Sequence, residues 1–181
     1  MKVISGKYKG RNLLGYDLDG TRPTMDRVKE SLFATIQNEI EGSIILDLFS
    51  GSGNLGIEAL SQNAKYAYLV DNNKKATNII EKNLKEIGIQ NAKVITADYL
   101  KALQRLKEEN IKLDIIFLDP PYQTDYIEKS IEKIEEYQLL NKNGYVICES
   151  NNPDKILNSK NLEKKKSKKY GDKWVVILKQ I

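Results

Sequence analysis

From residue 44 onward the chain alternates between two kinds of hydrophobic spacing. Short apolar runs at 44–48 (IILDL), 66–71 (YAYLVD), 92–97 (AKVITA), 113–118 (LDIIFL) and 144–149 (GYVICE) have the length and β-branched or aromatic content of strands. Between them, 55–62, 73–87, 98–108 and 124–137 carry helical spacing, and Ile79, Ile80, Leu84 and Ile87 fit the repeat in the second of these. Strands alternating with helices predict βαβ units and a mostly parallel sheet. The last two strand-like runs, 161–170 and 173–180, are joined by Gly171-Asp172, the chemistry of a tight hairpin turn. The expectation is an α/β fold with a seven-stranded, mostly parallel sheet whose last strand is antiparallel.

The chain before residue 44 is patterned differently. Residues 2–5 and 12–18 can pair as a short β-hairpin across the basic turn Lys7–Arg11. Thr24 then reads as the N-cap of a helix running to about Ile40, with Val28, Leu32, Phe33 and Ile36 on one face. Nothing resembles an interdomain linker or a repeat, so one domain is expected over 1–181. Its parts are a hairpin extension (1–20), a leading helix (21–41) and a Rossmann-like core (42–181).

Composition narrows the chemistry. With 181 residues the chain can bury a real core. No run approaches the ~18 apolar residues of a membrane span and no signal peptide opens the sequence, which predicts a soluble, cytoplasmic protein. Cys148 is the single cysteine and lies in an apolar run, so it reads as a core residue. Histidine is absent, which excludes Ser-His-Asp and Cys-His catalysis and most zinc or iron sites, and no metal is expected. The net charge of +4 is modest, but it is placed in two clusters. One gathers Lys2, Lys7, Lys9 and Arg11 around Tyr8; the other is Lys164-Lys165-Lys166-Ser167-Lys168-Lys169-Tyr170. Two such clusters favour a polyanionic partner.

The stretch from Asp47 to Gly56 (DLFSGSGNLG) places GxGxxG between a strand and a helix, and Asp71 follows Gly51 by twenty residues at the end of the next strand. Glycines let the backbone approach a ligand, and an acid at that offset can take ribose hydroxyls. A pyrophosphate ligand such as NAD fits poorly, because Asp47, Asp71, Asp98 and Asp119 all fall where the first four strands end. A carboxylate-lined edge suits a nucleoside with an ammonium and a sulfonium and no phosphate, which describes S-adenosylmethionine. Asp47 is expected to hold the methionine ammonium, Gly51 and Gly53 to admit its backbone, Asp71 to bind the ribose and Asp98 the adenine amine.

The fourth strand ends in Asp119-Pro120-Pro121-Tyr122. The prolines lack backbone donors and stop the pairing. They leave a carboxylate, a stiff turn and an aromatic ring at the end of a core strand. An exocyclic amine on a nucleobase is a poor nucleophile, since its lone pair is delocalised into the ring. Asp119 and the Pro120 carbonyl can each accept one amine hydrogen and so aim that lone pair, while Tyr122 stacks on the extruded base.

These stretches resemble a known family. DPPY, the DLFSGSGNLG loop, GKYKGR and RPTMDRVKESLF are similar to bacterial 16S ribosomal RNA guanine-N2 methyltransferases of the RsmD type, over essentially the whole chain. The resemblance implies a class I methyltransferase fold that acts on one guanine of the small-subunit RNA, presented in a ribosomal particle. Substrate docking is expected on the N-terminal basic group, Lys7, Lys9 and Arg11 with Arg22 and Arg27, and the 164–169 cluster is expected to contribute less. Three rivals use the same features. An adenine-N6 DNA methyltransferase shares DPPY, an NAD-dependent oxidoreductase shares the glycine loop, and a non-catalytic ribosome-assembly factor shares the basic clusters.

Overall fold

The computed structural model describes residues 1–15, 23–122, 124–156 and 159–181. After helix α1 (Pro23–Ile40) come β1 (Ile44–Asp47), α2 (Asn54–Ser61), β2 (Tyr66–Asp71), α3 (Lys74–Ile87), β3 (Ala92–Thr96), α4 (Tyr99–Glu108), β4 (Leu113–Leu118) and α5 (Tyr126–Glu136). The chain closes with β5 (Leu140–Ser150), a 3-10 turn at Pro153–Ile156, β6 (Leu162–Tyr170) and β7 (Lys173–Gln180). The seven strands form one sheet in the order β3-β2-β1-β4-β5-β7-β6. Strands β1 to β5 are parallel, and β7 runs antiparallel to both β5 and β6.

Alternation along the strands sorts the core into two layers, because successive side chains of a strand point to opposite faces. Ile45, Leu69, Ile115, Phe117, Ile147, Val175 and Ile177 face one cluster, which α1, α2 and α3 cover. Leu46, Val70, Ile116, Leu118, Val146, Cys148, Val176 and Leu178 face the other, under α4 and α5. Cys148 is therefore core, and burial pushes its thiol well above the usual range. The strand order reverses at β1, where β2 lies on one side and β4 on the other. That switch point is where an open α/β sheet holds a ligand, outside the carboxyl ends of its strands.

Some boundaries differ from expectation for local reasons. Helix α1 begins at Pro23, so Thr24 lies within its first turn and is not the N-cap; a proline fits the first helical position because its φ is already set there. Asp98 does not close the third strand, which ends at Thr96. Instead its side chain accepts from Leu100 N at 2.9 Å and caps α4. Strand β5 starts early, at Leu140, and meets β4 through a register shift between Leu113 and Ile115.

The N-terminal segment pairs with itself through the Lys2–Asn12 bridge, with Val3 N donating to Arg11 O and Leu13 N to Met1 O. Positions 16–18 of the expected hairpin lie outside the described residues. The segment is fastened along α2. Lys29, 2% exposed, donates to Lys2 O and Asn54 Oδ1 and lies 3.0 Å from Glu58, which is fully buried. Glu58 also accepts from the backbone N–H groups of Ile4 and Ser5. Further along, Lys7 N donates to Ser61 O and Tyr8 N to Ser61 Oγ at the C-terminal end of α2. Removing one partner of so buried a pair would strand the other charge, at a cost of about 3–5 kcal/mol.

Candidate active site

The glycine loop brings the backbone close between β1 and α2. Gly53 has φ of 83°, a left-handed conformation that L side chains rarely adopt, and it leads into α2 with no side-chain cap. Within the first turn of that helix, the N–H of Gly56 is taken instead by the Asp47 side chain. At Gly56 a Cβ would fall 2.1 Å from Leu69 Cδ2, so any larger residue there must displace that buried leucine side chain. The loop is tied to the sheet through Gly51 N, which donates to Asp71 Oδ2 at 3.0 Å.

Asp47, 1% exposed, is the most unusual group at this edge. Its Oδ2 accepts from Gly56 N at 3.1 Å, while Oδ1 is buried with no hydrogen-bond partner among the described residues. Burial pushes the carboxyl up to about 7, with a further push from Asp71, against the Gly56 hydrogen bond and Ser50. A buried acceptor without a donor is costly, and such groups in folded proteins point to a function. Here a cationic ligand group would satisfy it. Asp71 uses one oxygen on Gly51 N and the other on Asn73 N, at 2.9 Å; a carboxylate has acceptor capacity left for ribose hydroxyls. Beside Asp98 an aromatic cluster closes the same edge, with Phe49 and Tyr99 centroids 5.4 Å apart and Tyr99 and Tyr126 4.7 Å apart.

Across the switch point, β4 delivers Asp119, half-buried, followed by buried Pro120 and the exposed ring of Tyr122. Burial and the neighbouring Glu149 carboxylate drive the Asp119 carboxyl well above its usual range; Lys173 pulls it down and Asp47 pushes it up. Glu149 and Lys173 were not singled out in the sequence. Both arrive by register: β5 ends beside β4, and the β6–β7 turn returns the chain so that Ser150 pairs with Trp174. Lys173 Nζ hydrogen-bonds Glu149 Oε1 and lies 5.4 Å from the Tyr122 ring centroid. Tyr122 OH reaches the same Glu149 oxygen at 3.3 Å. Burial opposes the Lys173 charge, yet its bonds to Glu149 and Tyr122 hold its pKa above the ordinary value. The surface beside Pro121 and Tyr122 is concave, lined also by Thr124, Glu149, Asn151 and Lys155.

The structure thus gathers Asp47, Gly51, Gly53, Asp71, Asp98, Asp119, Pro120 and Tyr122 along one sheet edge. It does not gather the basic residues. Arg27 is exposed in the first part of α1, whose Lys29 reaches Asn54 at this edge. Lys7, Lys9 and Arg11 lie at the far ends of α2 and α3, where Lys7 N meets Ser61 O and Arg11 Nη2 donates to Glu86 O. Arg22 lies outside the described residues.

A glycine loop beside a buried, partnerless carboxylate oxygen and an Asp-Pro-Pro-Tyr turn, set side by side on a sheet of this strand order, fit the class I methyltransferase fold. Similarity to known proteins agrees. Residues 1–179 match the family described as conserved hypothetical protein 95. The chain is 37% identical over 166 residues to ribosomal RNA small subunit methyltransferase D of Buchnera aphidicola subsp. Acyrthosiphon pisum, spanning 91% of this chain and 86% of that one. It is 34% identical over 173 residues to the protein of the same name from Haemophilus influenzae, spanning 94% and 89%. A solved Escherichia coli structure described as a methyltransferase superposes with a TM-score of 0.89 at 30% identity, over 99% of this chain and 97% of that one. The chain belongs to the family of ribosomal RNA small subunit methyltransferase D. Among the described residues no cluster of acids or cysteine could hold a metal ion, and no helix is long and apolar enough to cross a membrane.

Proposed function

We propose that this chain methylates the exocyclic N2 amine of a guanine in 16S ribosomal RNA, in an assembled or assembling small subunit in the cytoplasm. The observation that carries the reading is the pairing of two sites across β1 and β4. On one side is the partnerless Asp47 oxygen beside a glycine loop, and on the other the Asp119-Pro120 turn. S-adenosylmethionine, when bound, supplies an electrophilic methyl group on a sulfonium. Asp47 Oδ1 takes the ammonium of the methionine portion, and Gly51 and Gly53 leave the backbone open to it. Asp71 takes the ribose hydroxyls. Asp98 offers the adenine amine its second oxygen, since Oδ1 is already held by Leu100 N.

For the acceptor, the Asp119 carboxylate and the Pro120 carbonyl each take one hydrogen of the guanine amine. This orients the nitrogen lone pair, an effect of position and electrostatics that needs no histidine. The elevated pKa of Asp119 also suits it to hold the proton that the amine gives up. Tyr122 stacks on the base, and Glu149 with Lys173 fixes that ring. Arg27, exposed near the start of α1, would meet RNA from that helix. Lys7, Lys9 and Arg11 can meet only a substrate large enough to wrap the α2–α3 side, as ribosomal RNA is. Labelled methyl transfer to naked 16S RNA, assembled small subunits and duplex DNA tests the reading. Label on RNA or on subunits supports it, and label on DNA alone overturns it.

A further inference from the structure

The edge strand β6 carries charge that neither the cofactor site nor the amine site uses. Lys164, Lys165, Lys166, Lys168 and Lys169 are all exposed on the outermost strand of the sheet. Lys165 pairs with Glu163 at 2.6 Å. Among the described residues the other four have no carboxylate within ion-pair distance. Lys166 reaches Thr35 Oγ1 at 3.1 Å and Lys168 reaches Ser31 Oγ at 3.3 Å, so two of the ammonium groups are held over the seam with α1 by neutral hydroxyls. Lysines on an edge strand guard it against unwanted pairing. Four unneutralised lysines repel one another, and a polyanion relieves that repulsion.

Their placement says where such a polyanion leads. Strand β6 runs toward the carboxyl edge and ends at Tyr170, which pairs with Lys173, the residue bonded to Glu149 next to Asp119. Lys169 Nζ lies 5.9 Å from the ring centroid of Trp174, and Trp174 pairs with Ser150 at the end of β5. The basic row therefore ends at the amine site, whereas the N-terminal hairpin tip ends at the opposite side of α2, roughly 12 Å along that helix at 1.5 Å per residue. Lys166 and Lys168, opposite Ile177 and Val175, share the α1 face about 6.6 Å apart, the scale of the step between neighbouring phosphates, while Lys164 and Lys169, opposite Leu178 and Trp174, project from the other face of the same edge.

We propose that the β6 edge is the RNA-docking surface: Lys166 and Lys168 on one face and Lys164 and Lys169 on the other flank the phosphates of the strand that carries the target guanine, and Trp174 borders its entry to the site. The proposal rests on the RNA reading above and reverses the ranking of the two basic clusters expected from sequence.

The test uses the full chain carrying K164Q, K166Q, K168Q and K169Q together, with methyl transfer to small-subunit particles measured across a potassium chloride series. The apparent KM should rise at least tenfold and the salt slope should flatten by about 3, from 0.7–0.9 for each lost phosphate contact. S-adenosylhomocysteine affinity should stay unchanged, and arginine at the same four positions should restore KM. In the unsubstituted chain, RNA should quench the single tryptophan, Trp174. The combination K7Q, K9Q and R11Q should cost less. If the β6 variant keeps both its KM and its salt slope while the unsubstituted chain methylates RNA, the docking surface is elsewhere. A β6 variant that merely aggregates, its monomeric fraction binding RNA normally, reduces the lysines to edge protection and also overturns the proposal. If the unsubstituted chain methylates no RNA substrate, the RNA reading itself falls and this inference with it.

Discussion

The proposed contact of Asp47 with the methionine ammonium would make cofactor binding a proton-linked event. In the free protein its carboxyl titrates at about 7, chiefly because burial penalises the charged form. An ammonium placed against Oδ1 favours the carboxylate, so binding must expel the proton wherever the group begins protonated. With a free-protein value of about 7 and full ionisation in the complex, affinity falls ~25-fold from about pH 7.5 to about pH 5.5, or ~1.9 kcal/mol. Titration calorimetry with S-adenosylhomocysteine in buffers of different ionisation enthalpy reads both the affinity and the proton released. The stability of the ligand-free chain should run the other way. The folded state holds this proton more tightly than the unfolded chain, where the carboxyl returns to 3.8. The contribution is therefore fully present at low pH and is lost as pH rises from about 4 through about 7, by up to ~4 kcal/mol. Asp47→Asn keeps an acceptor for Gly56 N and removes the titration, so it should flatten both profiles and weaken binding at neutral pH. An affinity independent of pH across this window, with no proton released, would refute the assignment of Asp47 to the ammonium.

Three further outcomes follow from the site. Asp119→Ala should lower methyl transfer by about 2–4 orders of magnitude, because a preorganised acceptor is lost at the reacting atom, while S-adenosylhomocysteine affinity barely moves. Loss of cofactor binding with turnover of the bound complex intact would place Asp119 on the wrong ligand. Lys173→Met removes the cation that pulls the Asp119 pKa down. The acid limb of the kcat/KM profile should move to higher pH, with activity near neutrality down about tenfold; an unmoved limb disconnects Lys173 from Asp119. Asp71→Ala should weaken cofactor binding by about 1.5–3 kcal/mol, the range for hydrogen bonds to a charged acceptor, and an unchanged dissociation constant in a folded variant would put the ribose elsewhere.

Much of the architecture was legible because each element carries its own period. Alternating apolar runs marked the strands, and Gly171-Asp172 marked the antiparallel hairpin that the structure contains. Asp47 and Asp119 could be read because each ends a core strand beside a glycine or proline turn. Glu149 and Lys173 could not, because their importance lies in register. Lys173 meets Glu149 only once β7 pairs with β5, a contact spanning 24 residues. The buried Lys29–Glu58 pair was hidden for a related reason: in sequence both are ordinary polar positions on helical stretches, and burial arises only when the N-terminal segment folds over α2. Asp98 shows a local ambiguity, since an acid after a strand can bind a ligand, cap the next helix or do both, and here one of its oxygens caps α4. The basic clusters were the hardest to rank, because charge runs say nothing about which end of the sheet they reach.

In the proposed reaction the DPPY turn orients a guanine N2 amine of small-subunit RNA. Its most direct test is to incubate small-subunit particles lacking the modification with S-adenosylmethionine and the unsubstituted or Asp119→Ala chain, digest the RNA, and identify the methylated nucleoside by mass spectrometry against standards. N2-methylguanosine should form with the unsubstituted chain and be nearly absent with Asp119→Ala. N6-methyladenosine as the product, or N2-methylguanosine formed equally well by both chains, would contradict that role.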